Sequence, residues 1–202
     1  MMKIGVLGAK VIGGTLGRKW TQAGHTVRFG VRAVDNAAVQ TMAQELGATV
    51  GTVEEAIAFG EVILFAIPGN AMEETIRAQG PALAGKIVMD AANRMGGGPM
   101  NSTAAFAAHA PQAEVYRAFN SLGWENFENP QFDGVPADLF YCGPAGAGQA
   151  AVEGLIRDVG LRPMRLGDLS QVGLVDTVAS LWFALVFGQG MGRQLAFKVL
   201  TR

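Results

Sequence analysis

Hydrophobic positions in the first half of the chain come as short unbroken runs. Between them lie longer stretches in which apolar residues recur every three or four positions. Residues 3–7 (Lys3-Ile4-Gly5-Val6-Leu7) form the first run, and residues 11–23 the first helical pattern, stopped by Gly24. Residues 26–29 read as a second strand. A helix over 36–46 follows, with Asp35 as its cap, because a carboxylate there can accept a first-turn amide. Gly47 stops it, 48–50 make a short third strand, and 53–59 a helix capped by Thr52. Residues 62–66 are continuously apolar, as expected of a strand buried on both faces, and Pro68-Gly69 end it. Residues 71–79 are helical and 87–89 form a fifth strand. The order βαβαβαβαβ predicts a Rossmann-type α/β fold, a doubly wound and mostly parallel sheet with right-handed crossovers.

Strand signals continue at 114–118, 138–142 and 162–166, with a helix over 149–159 and loops at 96–99 and 129–136. Leu174, Val178, Leu181, Trp182 and Leu185 share one helical stripe. Gly188, Gly190 and Gly192 then interrupt it, since each costs about 1 kcal/mol in a helix, and a second helix through Leu200 is expected beyond. The whole chain, 1–202, reads as one Rossmann-like domain: a core of about 1–120 and a small C-terminal α/β extension, about 121–202, ending in a long bent helix.

In such a sheet ligands bind outside the carboxyl ends of the strands. That rule gathers Gly8–Gly13, residues 30–32, Ala66, Ile67, Pro68 and Asn70, and Ala91 with Asn93 on one edge. The turn Gly8-Ala9-Lys10-Val11-Ile12-Gly13 has the strand–turn–helix setting of a dinucleotide site. Gly8 permits the tight turn and Gly13 the close helix–strand packing. The middle glycine, which lets backbone approach the pyrophosphate, is replaced by Lys10. Its Cβ could crowd that group, or its ammonium could pair with it. The amides of Val11, Ile12 and Gly13 begin a helix, a position that suits anions. NAD enzymes hold the ribose with an acidic residue at the end of the second strand. Here that end reads Gly30-Val31-Arg32, which favours a 2′-phosphate and NADP(H), unless Arg32 is only a solvated surface residue.

Composition narrows the partners. The formal net charge is −1 and 16% of residues are charged, which argues against a nucleic-acid partner, whose phosphates need a basic face. The single Cys142 excludes an intrachain disulfide and a multi-cysteine metal site, and suits a small buried apolar role. No leader is expected ahead of the first strand, and the run 178–187, apolar except for Ser180, reads as too short to cross a bilayer. A cytoplasmic protein without membrane contact is expected. Glycine numbers 28 of 202, about double the usual share of roughly 7%.

No catalytic set and no metal spacing stand out. His25 reads as a turn residue and His109 as the end of a helical stretch. Hydride transfer between bound cofactors needs no such set, because the cofactors carry the chemistry. Asn93 and Asn120, both at strand ends, are candidate contacts to the acceptor or the nicotinamide amide, or turn formers. Gly190, within 188–192, could line an acceptor pocket or serve a packing bend.

The segments KIGVLGAKVIGG, AGHTVRFGVR, AIPGNAMEE, DAANRMG, VYRAFNSLG, DLFYCGP, GLRPMRLGDLS and LWFALVFGQGMGRQLAFKVL resemble the NADPH-dependent reductases of deazaflavin coenzyme F420. These lie within the wider group named for that reductase and pyrroline-5-carboxylate reductase. The resemblance implies NADP on Ala9, Lys10, Val11 and Ile12, its 2′-phosphate at Val31 and Arg32, and the nicotinamide beside Ile67-Pro68. The chain departs from the family at Lys10, usually glycine, and at Val31, commonly a hydroxyl residue, so one phosphate contact is lost. Strands after residue 120 separate it from hydroxyacid dehydrogenases and pyrroline-carboxylate reductases, whose second domains are mostly helical. The implied activity is an NADP-dependent oxidoreductase passing hydride between NADPH and a small-molecule acceptor, a deazaflavin or flavin. The alternative is a non-catalytic NADP-binding module, a redox sensor or a partner of another reductase. Aromatic residues pointing several ways from the last helix suggest a homodimer.

Overall fold

The computed structural model describes all 202 residues, which fall into two compact units, 1–115 and 116–202. The first unit runs β1 (Lys3–Leu7), α1 (Val11–Gln22), β2 (Thr26–Gly30), α2 (Ala37–Glu45), β3 (Thr49–Gly51), α3 (Val53–Phe59), β4 (Val62–Phe65), α4 (Met72–Gln79), β5 (Ile87–Asp90) and α5 (Thr103–His109). Then β6 (Glu114–Arg117) carries the chain across the boundary. The sheet order is β3-β2-β1-β4-β5-β6, and every pairing from β3 to β5 is parallel. The chain therefore reverses its direction of winding between β1 and β4, the topological switch point of a doubly wound sheet.

Side chains alternate across a strand, and β1 shows what each face meets. A methyl group at Gly5 would collide with the Ala56 carbonyl of α3, while Val6 faces Gly13 of α1. Phe29, in register with Val6, fills the space left by Gly17 of α1, where a methyl group would stand 2.5 Å from its ring. So α1 and α3 cover opposite faces, and β4, Val62 to Phe65, is fully buried between layers. Thr52 caps α3 with a reciprocal capping box: its hydroxyl accepts from the Glu55 amide at 3.2 Å, and the Glu55 carboxylate accepts from the Thr52 amide at 2.9 Å. The cap of α2 is Asn36, not Asp35: its side chain accepts from the Val39 amide at 3.1 Å. Asp35 stands one residue too early to reach that first turn.

The second unit contains α6 (Glu125–Glu128), β7 (Gln131–Phe132), β8 (Val135–Pro136), β9 (Asp138–Tyr141), α7 (Ala147–Val159), β10 (Arg162–Arg165) and α8 (Val172–Phe183). Strands β9 and β10 pair in parallel around α7, whose buried face is Val152, Leu155, Ile156 and Val159. Residues 129–136, expected as a loop, contain the antiparallel hairpin β7–β8. Its two turn residues, Asp133 (φ 48°) and Gly134 (φ 79°), are both left-handed, which matches the right-handed twist of hairpin strands.

A 3₁₀ turn (Leu169–Gln171) precedes α8 and a π turn (Ala184–Gly188) follows it. Together they make one helix, Leu169–Gly188, of 20 residues and mean hydropathy 1.5. By length and composition alone it is long and apolar enough to cross a membrane, being longer than the run 178–187. That run, apolar except for Ser180, began only at Val178, whereas the helix adds Val172, Leu174 and Val175 ahead of it. The helix stops where Gly190 (φ 67°) and Gly192 (φ 84°) turn left-handed and the Met191 amide reaches back to the Leu185 carbonyl at 3.2 Å. No second helix follows. The last residues form an extended strap, bonded from the Trp182 indole to the Leu195 carbonyl (2.7 Å) and from the Asp138 amide to the Phe197 carbonyl (2.9 Å). Leu195, Phe197 and Val199 occupy alternate positions, the period of extended chain rather than helix.

Candidate nucleotide site

Register aligns the carboxyl ends of four strands. Leu7 pairs with Gly30 and with Phe65, and Phe65 with Asp90. Backbone bonding runs one residue further: Gly8 donates to Gly30, Ala66 to Leu7 and Ala91 to Phe65, at 3.0, 3.0 and 3.1 Å, while Val31 donates to Gly51 at 3.0 Å. Gly8, Val31, Ala66 and Ala91 thus form a row along one edge of the sheet.

The turn after β1 depends on two glycines for different reasons. Gly8 is left-handed (φ 96°), and a methyl group there would stand 2.6 Å from the Ala66 carbonyl oxygen. A methyl group at Gly13 would collide with the Gly8 carbonyl oxygen, so α1 can start this close to β1 only without one. Lys10 is the N-cap of α1, at φ −79°, a conformation open to any residue. Its side chain is exposed and makes no hydrogen bond or ion pair. No side chain caps the first-turn amides of Val11, Ile12 and Gly13, and that turn holds no acidic residue. Ala9 and Ile12 are half-buried and Val11 is exposed. Across the turn Val31 is half-buried, while Arg32 is exposed and unpaired.

The loops after β4 and β5 lie against each other. Gly69 sits on the backbone of Asn93 and Arg94, where a methyl group would approach the Asn93 oxygen to 2.5 Å. Ile67 and Asn93 are half-buried, Pro68 and Asn70 exposed. Sequence reasoning missed Asp90, the last residue of β5. Its carboxylate is fully buried and accepts from the Ala92 amide at 3.0 Å and the Ser102 amide at 3.1 Å, clamping both ends of the intervening loop. The signal was an acidic residue at the end of an apolar strand.

In the second unit Asn120 is buried and its amide donates to the Asp176 carboxylate at 3.4 Å. The same carboxylate meets Arg117, which is fully buried, at 2.9 Å. This charged cluster on α8 and the end of β6 was also missed. Neither ion carries a local motif, and 59 residues separate them. Gly190 is exposed, with open space where a side chain would project, so its backbone conformation explains the glycine. Burial pushes the Cys142 thiol up to about 11, leaving a small apolar side chain. Burial, together with the bond to Glu153, also raises the Tyr141 hydroxyl. The His25 Nδ1 accepts from the Met2 amide at 3.1 Å, a structural tie.

Residues 3–94 match the family described as NADP oxidoreductase, coenzyme F420-dependent. No curated protein matches the chain. Among solved structures, a protein from Arthrobacter sp. FB24, provisionally named an F420-dependent NADP-reductase, is 23% identical, with a TM-score of 0.85 and 100% of both chains covered. A hypothetical protein from Sinorhizobium meliloti is 24% identical (TM-score 0.73), over 86% of this chain and 88% of that one. The reductive aminase of Aspergillus terreus, solved with NADPH4, cyclohexanone and allyl amine, is 22% identical (TM-score 0.67), over 93% of this chain and 64% of that one. At these identities the three structures share the fold. The similarity to the NADP oxidoreductase, coenzyme F420-dependent, family thus runs from β1 to the turn after β5, just under half of the chain.

Proposed function

We propose that the chain binds NADP(H) along the carboxyl edge of the first unit's sheet and passes hydride between NADPH and a flat acceptor of the deazaflavin or flavin class. The row of Gly8, Val31, Ala66 and Ala91 carries this reading, with the uncapped start of α1 and the unpaired Arg32 beside it. The residues present fit a dinucleotide. The turn Gly8 to Gly13 offers the uncapped amides of Val11, Ile12 and Gly13 to the pyrophosphate, and Val31-Arg32 offers a guanidinium to the 2′-phosphate. Ala66, Ile67, Pro68, Asn70, Ala91 and Asn93 would border the nicotinamide half. Asn120 and Gly190 are assigned to the acceptor. When bound, NADPH supplies the hydride, while the chain's own residues orient it and keep water away. The family match and the reductase neighbours support this reading. It includes a homodimer, for which the exposed Leu174, Leu181 and Phe187 supply an apolar face.

A charge-assisted contact contributes about 1.5–3 kcal/mol, roughly a tenfold to hundredfold preference for NADPH over NADH. Titration of the protein with each nucleotide, followed by tryptophan emission, should show that preference, and Arg32→Ala should abolish it. Loss of NADPH absorbance on adding a deazaflavin or flavin would then establish turnover. Lys10 in place of glycine favours a second reading, a nucleotide-binding module without turnover. Binding of NADPH with no oxidation by either acceptor class would select it.

A further inference from the structure

The turn that departs from the dinucleotide pattern has an unusual electrostatic setting. The N-terminus of a helix carries partial positive charge and favours anions. Yet α1 opens on a lysine, with no acidic residue in its first turn and no capping side chain. Between residues 8 and 34 there is no Asp or Glu, but there are Lys10, Arg18, Lys19, Arg28 and Arg32. Lys10 and Arg32 are both exposed and unpaired. The bond from the Gly8 amide to the Gly30 carbonyl, 3.0 Å, ties together the two turns that carry them. Lys10 stands at φ −79°, so its side chain imposes no backbone strain and no local steric reason calls for glycine. A cation at the positive end of a helix, with nothing to neutralise it, departs from the local rule. Such departures concentrate where a ligand completes the arrangement.

We propose a division of labour between these two cations, resting on the nucleotide-binding reading above. Lys10 supplies by charge what the missing glycine supplies by close approach. Its ammonium pairs with the cofactor pyrophosphate, the part common to NADPH and NADH, which belongs at a helix N-terminus. Arg32, at the end of β2, alone reads the 2′-phosphate. Lys10 therefore sets affinity for both nucleotides, and Arg32 sets the choice between them.

Calorimetric titration with NADPH and with NADH separates the two roles. Lys10→Met should weaken both nucleotides by the same factor, about tenfold for one charge-assisted contact. Lys10→Arg should restore most of that affinity. Arg32→Ala should weaken NADPH alone, and in the double variant the losses for NADPH should multiply. The Lys10 side chain is exposed and makes no hydrogen bond or ion pair within the protein, so its variants should melt with the parent.

Three results would overturn the assignment. Weakening of NADPH alone by Lys10→Met would give the lysine to the 2′-phosphate. Tighter binding of both nucleotides would mean that it crowds the pyrophosphate. Unchanged binding would make it a bystander. In all three the parent still binds NADPH and the functional reading survives. Binding of neither nucleotide by the parent would remove both.

Discussion

Gly8 and Gly13 occupy positions where backbone approaches backbone, and there the cost of a side chain is largest. An added methyl group at Gly13 meets a carbonyl oxygen that cannot move without displacing β1 from α1. Gly13→Ala should therefore destabilise the protein by about 1–3 kcal/mol, the range for overpacking, and should weaken nucleotide binding as well. Thermal denaturation and an NADPH titration of the variant would check both. Gly188, by contrast, has open space around it, and Gly188→Ala should leave the melting temperature nearly unchanged or slightly raised. Abundance of glycine alone did not distinguish these positions; position relative to strand ends did.

At the scale of elements, β1 to β5 were legible because each announces itself locally. An apolar run, a glycine stop and a helical stripe suffice when a strand is buried on both faces. The turn and the carboxyl edge followed from that order. What escaped was structure whose cause is distant or small. The hairpin β7–β8 rests on two turn residues, Asp133-Gly134, flanked by strands of two residues each. The strap depends on Asp138, which accepts from Arg162 at 2.6 and 2.7 Å and from the Val199 amide at 2.6 Å, with Lys198 3.2 Å away. Burial alone would raise the Asp138 carboxyl. The bonds from Arg162 and Val199 and the nearby Lys198 outweigh it and hold the group below the ordinary value of 3.8. Its contribution to stability is accordingly full above that value and is lost as pH falls through the folded one. Asp138→Asn should cost about 3 kcal/mol at neutral pH, the lower end for breaking a buried pair. The parent should approach the variant as pH falls well below 3.8 and the carboxylate protonates. Urea denaturation across that range would test it, and equal losses at both pH values would contradict it.

For the whole molecule, the second unit leaves much of its longest helix uncovered. Leu174, Leu181 and Phe187 are each half exposed or more. Sedimentation at micromolar concentration should show a dimer, and Leu181→Asp should shift it toward monomer. A parent that sediments as a monomer would refute the association.

Asp176 has a second consequence. It stands near the middle of Leu169–Gly188, the one segment whose length and hydropathy suit a lipid environment. An aspartate at the centre of such a helix opposes transfer into a bilayer by about 2.5–3.5 kcal/mol. Within the folded chain the same carboxylate meets the Arg117 guanidinium. One side chain thus both opposes transfer of this helix into lipid and ties it to the end of β6. Removing it, as in Asp176→Leu, would weaken the fold and lower the barrier to the membrane together.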